Sequence, residues 1–325
     1  LYLFGASPAV CKSFLRGHAV DLQEYDANTW YEPHATSLRM SDIGYSNKHR
    51  CKFKVSYDSL EAYTDSLLRA LHQPCNAFRP IGVEVDGRFR QLSANVLQIE
   101  NEYYSPMRPK QPPREGERPL AALRQRGVAY VELRSSDIDP FEPVGIGPRQ
   151  LRFLEAFLLY CLLADSPPIT AEEQERIDAN QLAAARRGRD PALRLRQGDG
   201  ETGLREWGLA LCRELQGICE LLERARPDSG YVQALERQRA ALEDPERTPS
   251  ARVLAEMRAN RQGFYHFAAA WSAHFQRYFR EQPLDPERAR LLEDWVGRSL
   301  DEQAALEAAD EPPFADYLRE YLARL

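Results

Sequence analysis

Methionine is missing from the first position of this 325-residue chain, which opens Leu1-Tyr-Leu-Phe with neither the charged start nor the cleavage site of a signal peptide. The sequence reads as one entered midway. Long apolar runs are missing as well: the longest, Ala156 to Ala164, is too short to span a bilayer and lies deep in the chain, so it reads as a buried helix and no membrane association is expected. The six cysteines (Cys11, Cys51, Cys75, Cys161, Cys212, Cys219) form no CxxC pair. That spacing fits thiols in a reducing compartment, the cytoplasm, better than a disulfide or zinc framework. The histidines (His18, His34, His49, His72, His266, His274) show no paired zinc-type spacing. The GxxxxGK[ST] phosphate loop, a complete GxGxxG fingerprint and the GxSxG nucleophile turn are all absent, which leaves P-loop, Rossmann and hydrolase mechanisms without support. With 43 Lys+Arg against 49 Asp+Glu the net charge is -6, and no dense basic block occurs, so nucleic acid is not an expected partner.

What the chain does have is bulk and pattern. At 43% hydrophobic content it can bury one large core or two ordinary ones. The first half carries strand and turn signals: Phe53 to Tyr57 alternates, and Ile81 to Leu92 reads as a hairpin around Asp86-Gly87. Val96 to Tyr104 and Ala129 to Ser135 are further candidate strands, and the proline-rich stretch Pro106 to Pro119 reads as an irregular connector. After Pro148 helical periods take over, predicting helices over Leu151 to Ala164, Ala171 to Arg187, Leu204 to Arg224, Ser250 to Arg261 and Gly263 to Arg280. In the third of these, Trp207, Leu211, Leu215, Ile218 and Leu222 mark a core-facing stripe. Gly198 to Gly203 and Pro245 to Pro249 read as loops. The expectation is an α+β chain with a β-rich part over 1–147 and a helical part over 148–325.

Three segments carry polar chemistry. In Ala129 to Ser135, strand alternation sets Val131 and Leu133 on one face and Tyr130, Glu132 and Arg134 on the other. Such a face is either a salt-bridged exposed surface or the wall of a polar cleft, where a carboxylate holds a divalent metal and a guanidinium neutralises phosphate oxygens. If Leu97 to Tyr104 continues as a strand, Gln98, Glu100, Glu102 and Tyr104 share a face, and two acids so placed call for a cation or an arginine. Ala35 to Tyr45 is a polar run with Arg39 and Asp42, a turn with hydrogen-bonding potential.

Gly5-Ala-Ser-Pro-Ala-Val-Cys11, Ser37-Leu-Arg-Met-Ser-Asp-Ile-Gly-Tyr45, Asn95-Val-Leu-Gln-Ile-Glu-Asn-Glu-Tyr-Tyr-Ser-Pro-Met-Arg-Pro-Lys110 and Tyr130-Val-Glu-Leu-Arg-Ser-Ser-Asp-Ile-Asp-Pro-Phe141 resemble, in order and spacing, the bacterial-type glutamate-cysteine ligases. The similarity continues through Arg152-Phe-Leu to Asp165-Ser-Pro167, Ser250-Ala-Arg-Val-Leu254 and Pro313-Phe-Ala-Asp-Tyr-Leu318. The resemblance implies a mainly antiparallel, glutamine-synthetase-like sheet lining the active site, followed by helices. It also implies ATP-dependent joining of the γ-carboxylate of glutamate to the amine of cysteine, the first step of glutathione synthesis, with Mg2+ as cofactor; a monomer is the expected state. Carried over residue by residue, Glu132 is a metal ligand, Arg134 contacts the transferred phosphoryl group, Arg39 pairs with the carboxylate of substrate cysteine, and Tyr45 and Tyr104 line the cysteine pocket. Glu100 and Glu102 receive no role. An N-terminal portion on the order of a third of a full ligase is expected to be absent, and with it most metal-binding glutamates. The readings left beside this one are a non-catalytic fragment serving as an interaction or folding module, and a related ligase with another amine acceptor.

Overall fold

The structure is a computed structural model that describes residues 1–15, 20–44, 47, 51, 53–309 and 312–324. Three short strands, β1 (Ala9–Cys11), β2 (Gln23–Asp26) and β3 (Thr29–Tyr31), form an antiparallel sheet in the order β1-β3-β2. Helix α1 (Leu60–His72) follows, capped by Ser59, whose hydroxyl accepts from Ala62 N. Its buried residues Tyr63, Leu67, Ala70 and Leu71 recur at helical spacing, which turns one stripe onto the first core. Each fully buried leucine there contributes roughly 1.5–3 kcal/mol. The hairpin around Asp86-Gly87 forms as expected, from β4 (Glu84–Val85) and β5 (Arg88–Phe89), with both turn residues at positive φ.

Next come β6 (Met107–Lys110), α2 (Pro119–Arg126) and β7 (Tyr130–Leu133), with β6 and β7 paired antiparallel. The helical half contains α3 (Pro148–Leu163), α4 (Ala171–Arg187), the hairpin β8 (Arg194–Gln197) and β9 (Gly200–Gly203), then α5 (Leu204–Ala225), α6 (Tyr231–Glu243), α7 (Pro249–Ala259), α8 (Phe264–Glu281), α9 (Pro286–Ala308) and α10 (Phe314–Ala323). The α+β expectation holds, in the form of small antiparallel sheets followed by helices. Of the expected stripe on α5, Leu215, Ile218 and Leu222 face inward, Leu215 fully buried and flanked by Cys212 and Cys219 against α3 and α6, while Trp207 and Leu211 are half-buried outside that core.

Packing crosses from one half to the other. Tyr2 sits in the core of α3, α5 and α6, and Ala9 of β1 packs with α7 and α8. From the far end of the chain, Phe314 meets Phe89 edge-on at 4.9 Å, Tyr321 lies under the Arg118 guanidinium at 4.8 Å, and Arg324 Nη1 donates to Gly116 O at 2.7 Å.

Several sequence expectations need correcting. Phe53 to Tyr57 joins no ladder. Val96 to Tyr104 is not a strand, because its backbone is satisfied by the end of α1: Leu97 N donates to Ala70 O and Val96 N to Gln73 O. The segment then tightens into a single 3-10 turn over Glu100–Glu102. The connector after Pro106 contains a strand after all. Arg134 N donates to Pro106 O and Ala129 N to Lys110 O, so the even-numbered residues of β6 bond to β7, and the N–H that Pro109 lacks would have pointed away. Gly198 to Gly203 is mostly strand, only Gly198 and Asp199 forming the tip. Cys51 and Cys75, read as thiols, form a disulfide with their Cα atoms 5.7 Å apart, whereas Cys11, Cys161, Cys212 and Cys219 are free. Long-range pairing of this kind leaves no local spacing signal.

Candidate functional site

Register decides what shares a face on the β6–β7 ribbon. Arg108 stands directly opposite Glu132 and Lys110 opposite Tyr130, while Met107 and Pro109 stand opposite Leu133 and Val131 on the other face. The polar face thus gathers Glu132, Arg134, Arg108 and Lys110. Arg134 also reaches Tyr104, its guanidinium carbon 5.9 Å from the ring centroid. The backbone of Tyr104 is clamped by Asn47, whose amide donates to Tyr104 O at 2.8 Å and accepts from Tyr104 N at 3.1 Å.

Charge on this face is unbalanced. Arg108 is 7% exposed; its Nη2 donates to Asn101 O at 3.2 Å, but its Nε is buried with no hydrogen-bond partner. Burial, and then the nearby positive charge of Arg134, push the Arg108 pKa down. Glu132 Oε2 is likewise buried without a hydrogen bond, although Lys110 Nζ lies 3.3 Å away, close enough for an ion pair but not aligned to donate. Among the described residues, three cations against one carboxylate, with buried polar atoms left over, make a face suited to a polyanion such as phosphate. Around it the phenols of Tyr57, Tyr63 and Tyr103 have pKa values raised by burial, that of Tyr57 against hydrogen bonding that lowers it, so all three are neutral at ordinary pH.

Arg39 comes from a different element and meets the same place. It lies in a 3-10 turn over Leu38–Met40 capped by the Ser37 hydroxyl, which accepts from Met40 N. The C-terminal end of α4 holds this segment: Ala185 O accepts from both Thr36 N and Ser37 N, and Arg186 pairs with Asp42 at 2.8 Å and Glu32 at 2.6 Å. Gly44 closes the turn so tightly that a Cβ there would collide with the Arg39 carbonyl, which only glycine avoids. The Arg39 guanidinium donates from Nε to Asp137 Oδ1 at 2.6 Å and from Nη2 to the carbonyls of Arg134 and Ser136, each at 2.9 Å. Either two-point mode of gripping a carboxylate draws on an N–H committed to these bonds.

The expected site residues therefore separate. Glu132 and Arg134 share the ribbon face, Arg134 reaches the Tyr104 ring, Arg39 bonds to the Arg134 carbonyl, and Tyr45 lies outside the described residues. Glu100 is 7% exposed and is committed elsewhere, forming a bidentate pair with the fully buried Arg118 at 3.2 and 2.7 Å. Glu102 Oε2 accepts from Gln98 N at 2.9 Å, fixing its own turn. Arg108 and Lys110 escape the sequence reading because Pro106 to Pro119 reads as connector; the alternation of Arg108 and Lys110 is the available signal. It also missed Asp137, for which no local signal exists.

Among the described residues, no group of three or more His, Cys, Asp or Glu side chains stands ready to hold a metal. The orphaned Oε2 of Glu132 fits a single coordination position, so a hard divalent cation bound here needs further oxygen ligands. No helix among the described residues is long and apolar enough to cross a membrane.

Comparison with known proteins gives a consistent result. Residues 1–184 match the glutamate-cysteine ligase family model. A glutamate-cysteine ligase of Azotobacter vinelandii is 46% identical over 325 residues, covering 100% of this chain and 61% of the relative, and one of Pseudomonas paraeruginosa is 44% identical with 62% of the relative covered. The chain thus spans about 61% of the length of the curated relatives it matches. The crystal structure of a Francisella tularensis glutamate-cysteine ligase in complex with AMP superposes with a TM-score of 0.90 at 34% identity, covering 99% of this chain and 64% of that one. A bifunctional glutathione synthetase of Pasteurella multocida shares the fold, with a TM-score of 0.61 at 21% identity over 86% of this chain and 30% of that one.

Proposed function

The chain belongs to the glutamate-cysteine ligase family, and on that premise we propose that its polar β6–β7 face serves the ATP-dependent joining of glutamate, through its γ-carboxylate, to the amine of cysteine. The observation that carries this reading is the gathering of Arg134, Arg108 and Lys110 on one ribbon face, with Arg39 hydrogen-bonded to the backbone carbonyl of Arg134 at 2.9 Å.

A carboxylate at neutral pH is a poor acyl donor, since an attacking amine would have to expel oxide. Phosphorylation supplies a leaving group. The γ-carboxylate oxygen bonds to the γ-phosphorus of ATP as the bond to the β-phosphate oxygen breaks, giving ADP and γ-glutamyl phosphate. The neutral amine of cysteine then bonds to the acyl carbon, phosphate departs with the C–O pair, and the nitrogen loses a proton. Arg134 and Arg108, on one face, neutralise the charge on the phosphoryl oxygens, and the low exposure of Arg108 strengthens each such contact. Magnesium, with Glu132 as one of its ligands, would supply further charge neutralisation to the phosphate oxygens. The part of the relatives' length that this chain does not span supplies the other carboxylates of that site.

Arg39, whose two-point modes are committed to Asp137 and the two carbonyls, meets the carboxylate of cysteine at a single point, and Tyr104 lines the acceptor pocket. Alignment of this kind can lower a barrier by roughly 7–11 kcal/mol. The enzyme is read as a cytoplasmic monomer. The test is phosphate release by the full gene product that carries this chain: it should require ATP, magnesium, glutamate and cysteine together. Release that is indifferent to glutamate or to the acceptor amine would reject the reading.

A further inference from the structure

We propose that Asp137 is a positioning residue for the acceptor subsite, fixing the Arg39 guanidinium and tying it to the strand end that carries Arg134. The inference rests on the reading of Arg39 given above.

Asp137 lies four residues beyond β7 and is 6% exposed. A carboxylate buried to that degree needs its lone pairs filled, and here four donors fill them. Oδ2 accepts from Ala6 N at 2.7 Å and from the Ser7 hydroxyl at 2.8 Å; Oδ1 accepts from the Ser37 hydroxyl at 3.1 Å and from Arg39 Nε at 2.6 Å. Its own N–H donates to Phe4 O at 3.0 Å. One carboxylate thus joins the Phe4 to Ser7 segment, the turn that carries Arg39, and the chain leaving β7.

Among the described residues the guanidinium is therefore held at three points: Asp137 takes Nε, and the carbonyls of Arg134 and Ser136 take Nη2. A planar group held at three points has its plane and roll defined. The two carbonyls alone cannot do this, since both bind the same nitrogen and leave rotation about it unchecked. Because Nη2 is bonded to the backbone of the residue whose side chain serves the phosphoryl group, the distance between the two subsites is set by hydrogen bonds and not by side-chain length. Asp137 itself need not touch either substrate.

The consequence is specific to the acceptor carboxylate. In the full gene product, Asp137→Asn keeps the shape but loses the charge that orients Nε. The preference for cysteine over cysteamine, which is cysteine without its carboxylate, should fall by about tenfold in kcat/KM, the worth of one charge-assisted hydrogen bond. KM for ATP should stay unchanged. In an Arg39→Ala background the same substitution should produce no further loss of preference. If Asp137→Asn fails to fold, Ser37→Ala removes the other hydrogen bond to Oδ1 and should lower the same ratio by roughly threefold. An unchanged cysteine-to-cysteamine ratio in whichever variant folds, or an equal loss for both acceptors, overturns the proposal. Absence of activity in the unsubstituted protein would instead reject the ligase reading.

Discussion

Arg39 Nη2 donates to the backbone carbonyl of Arg134 at 2.9 Å, so two arginines 95 residues apart in sequence are joined through the main chain of one of them. The bond survives any substitution of the Arg134 side chain. Arg134→Ala in the full gene product is therefore expected to lower kcat by about a hundredfold or more, the scale of removing one transition-state charge donor, while KM for cysteine stays within about twofold. Steady-state kinetics with each substrate varied will separate the two effects.

Arg39→Ala should show the converse pattern, a raised KM for cysteine, on the order of tenfold or more, with a smaller effect on KM for ATP. It should also loosen the chain after β7, since the carbonyls of Arg134 and Ser136 lose their donor. Faster amide exchange over 134–137 would be the structural signature.

For Glu132→Gln, the expected outcome is a higher magnesium concentration for half-maximal rate, because a neutral amide is a weaker ligand than a carboxylate. Lys110, 3.3 Å from Glu132 Oε2, loses its ion-pair partner at the same time. Titrating magnesium at saturating ATP, glutamate and cysteine measures the shift; an unchanged magnesium curve would remove Glu132 from the metal site.

The Glu100–Arg118 pair is a matter of stability. Both groups are buried, and Arg118 is also sandwiched against Tyr321 of α10. Glu100→Ala leaves an uncompensated guanidinium in the interior and should cost about 3–5 kcal/mol. Chemical denaturation of the variant should show this as a lowered midpoint, with α10 released first in amide exchange.

Glu117 offers a pH test. Its side-chain hydrogen bonds to Arg126, both at 2.7 Å, and then the Arg114 N–H hold its pKa down at about 2, against an ordinary 4.5. A folded-state pKa below the unfolded one gives stability that is fully present above pH 4.5 and lost as pH falls toward about 2. Glu117→Gln should lose part of its stability at neutral pH and show a shallower decline over that acid window. Thermal melts across the window will compare the two slopes.

The sequence made some of this legible and hid the rest for physical reasons. The helices α4 and α5 were readable because a helical period lies within the segment itself, as with the α5 stripe through Leu215. The β7 strand and the convergence of Glu132 with Arg134 were readable from alternation alone. Glu100 was not, because its partner Arg118 is distant in sequence and because the backbone of Val96 and Leu97 binds the end of α1 in place of a neighbouring strand. Helix α9 has cap and proline signals in Asp285 and Pro286, yet its apolar residues Leu291, Trp295 and Leu300 remain exposed, so it lacks the buried stripe by which a helix is recognised. Asp137 lies within the Tyr130 to Phe141 segment, but its role left no local signal, since it comes from three segments meeting at one carboxylate.

The central claim is that the γ-carboxylate of glutamate is activated by phosphorylation on this arginine-rich face. Supplying glutamate labelled with oxygen-18 in the γ-carboxylate to the full gene product, with ATP, magnesium and cysteine, tests it most directly. The account predicts that one labelled oxygen appears in each released phosphate, carried over from the acyl phosphate. Phosphate released without label, while γ-glutamylcysteine accumulates, would contradict it.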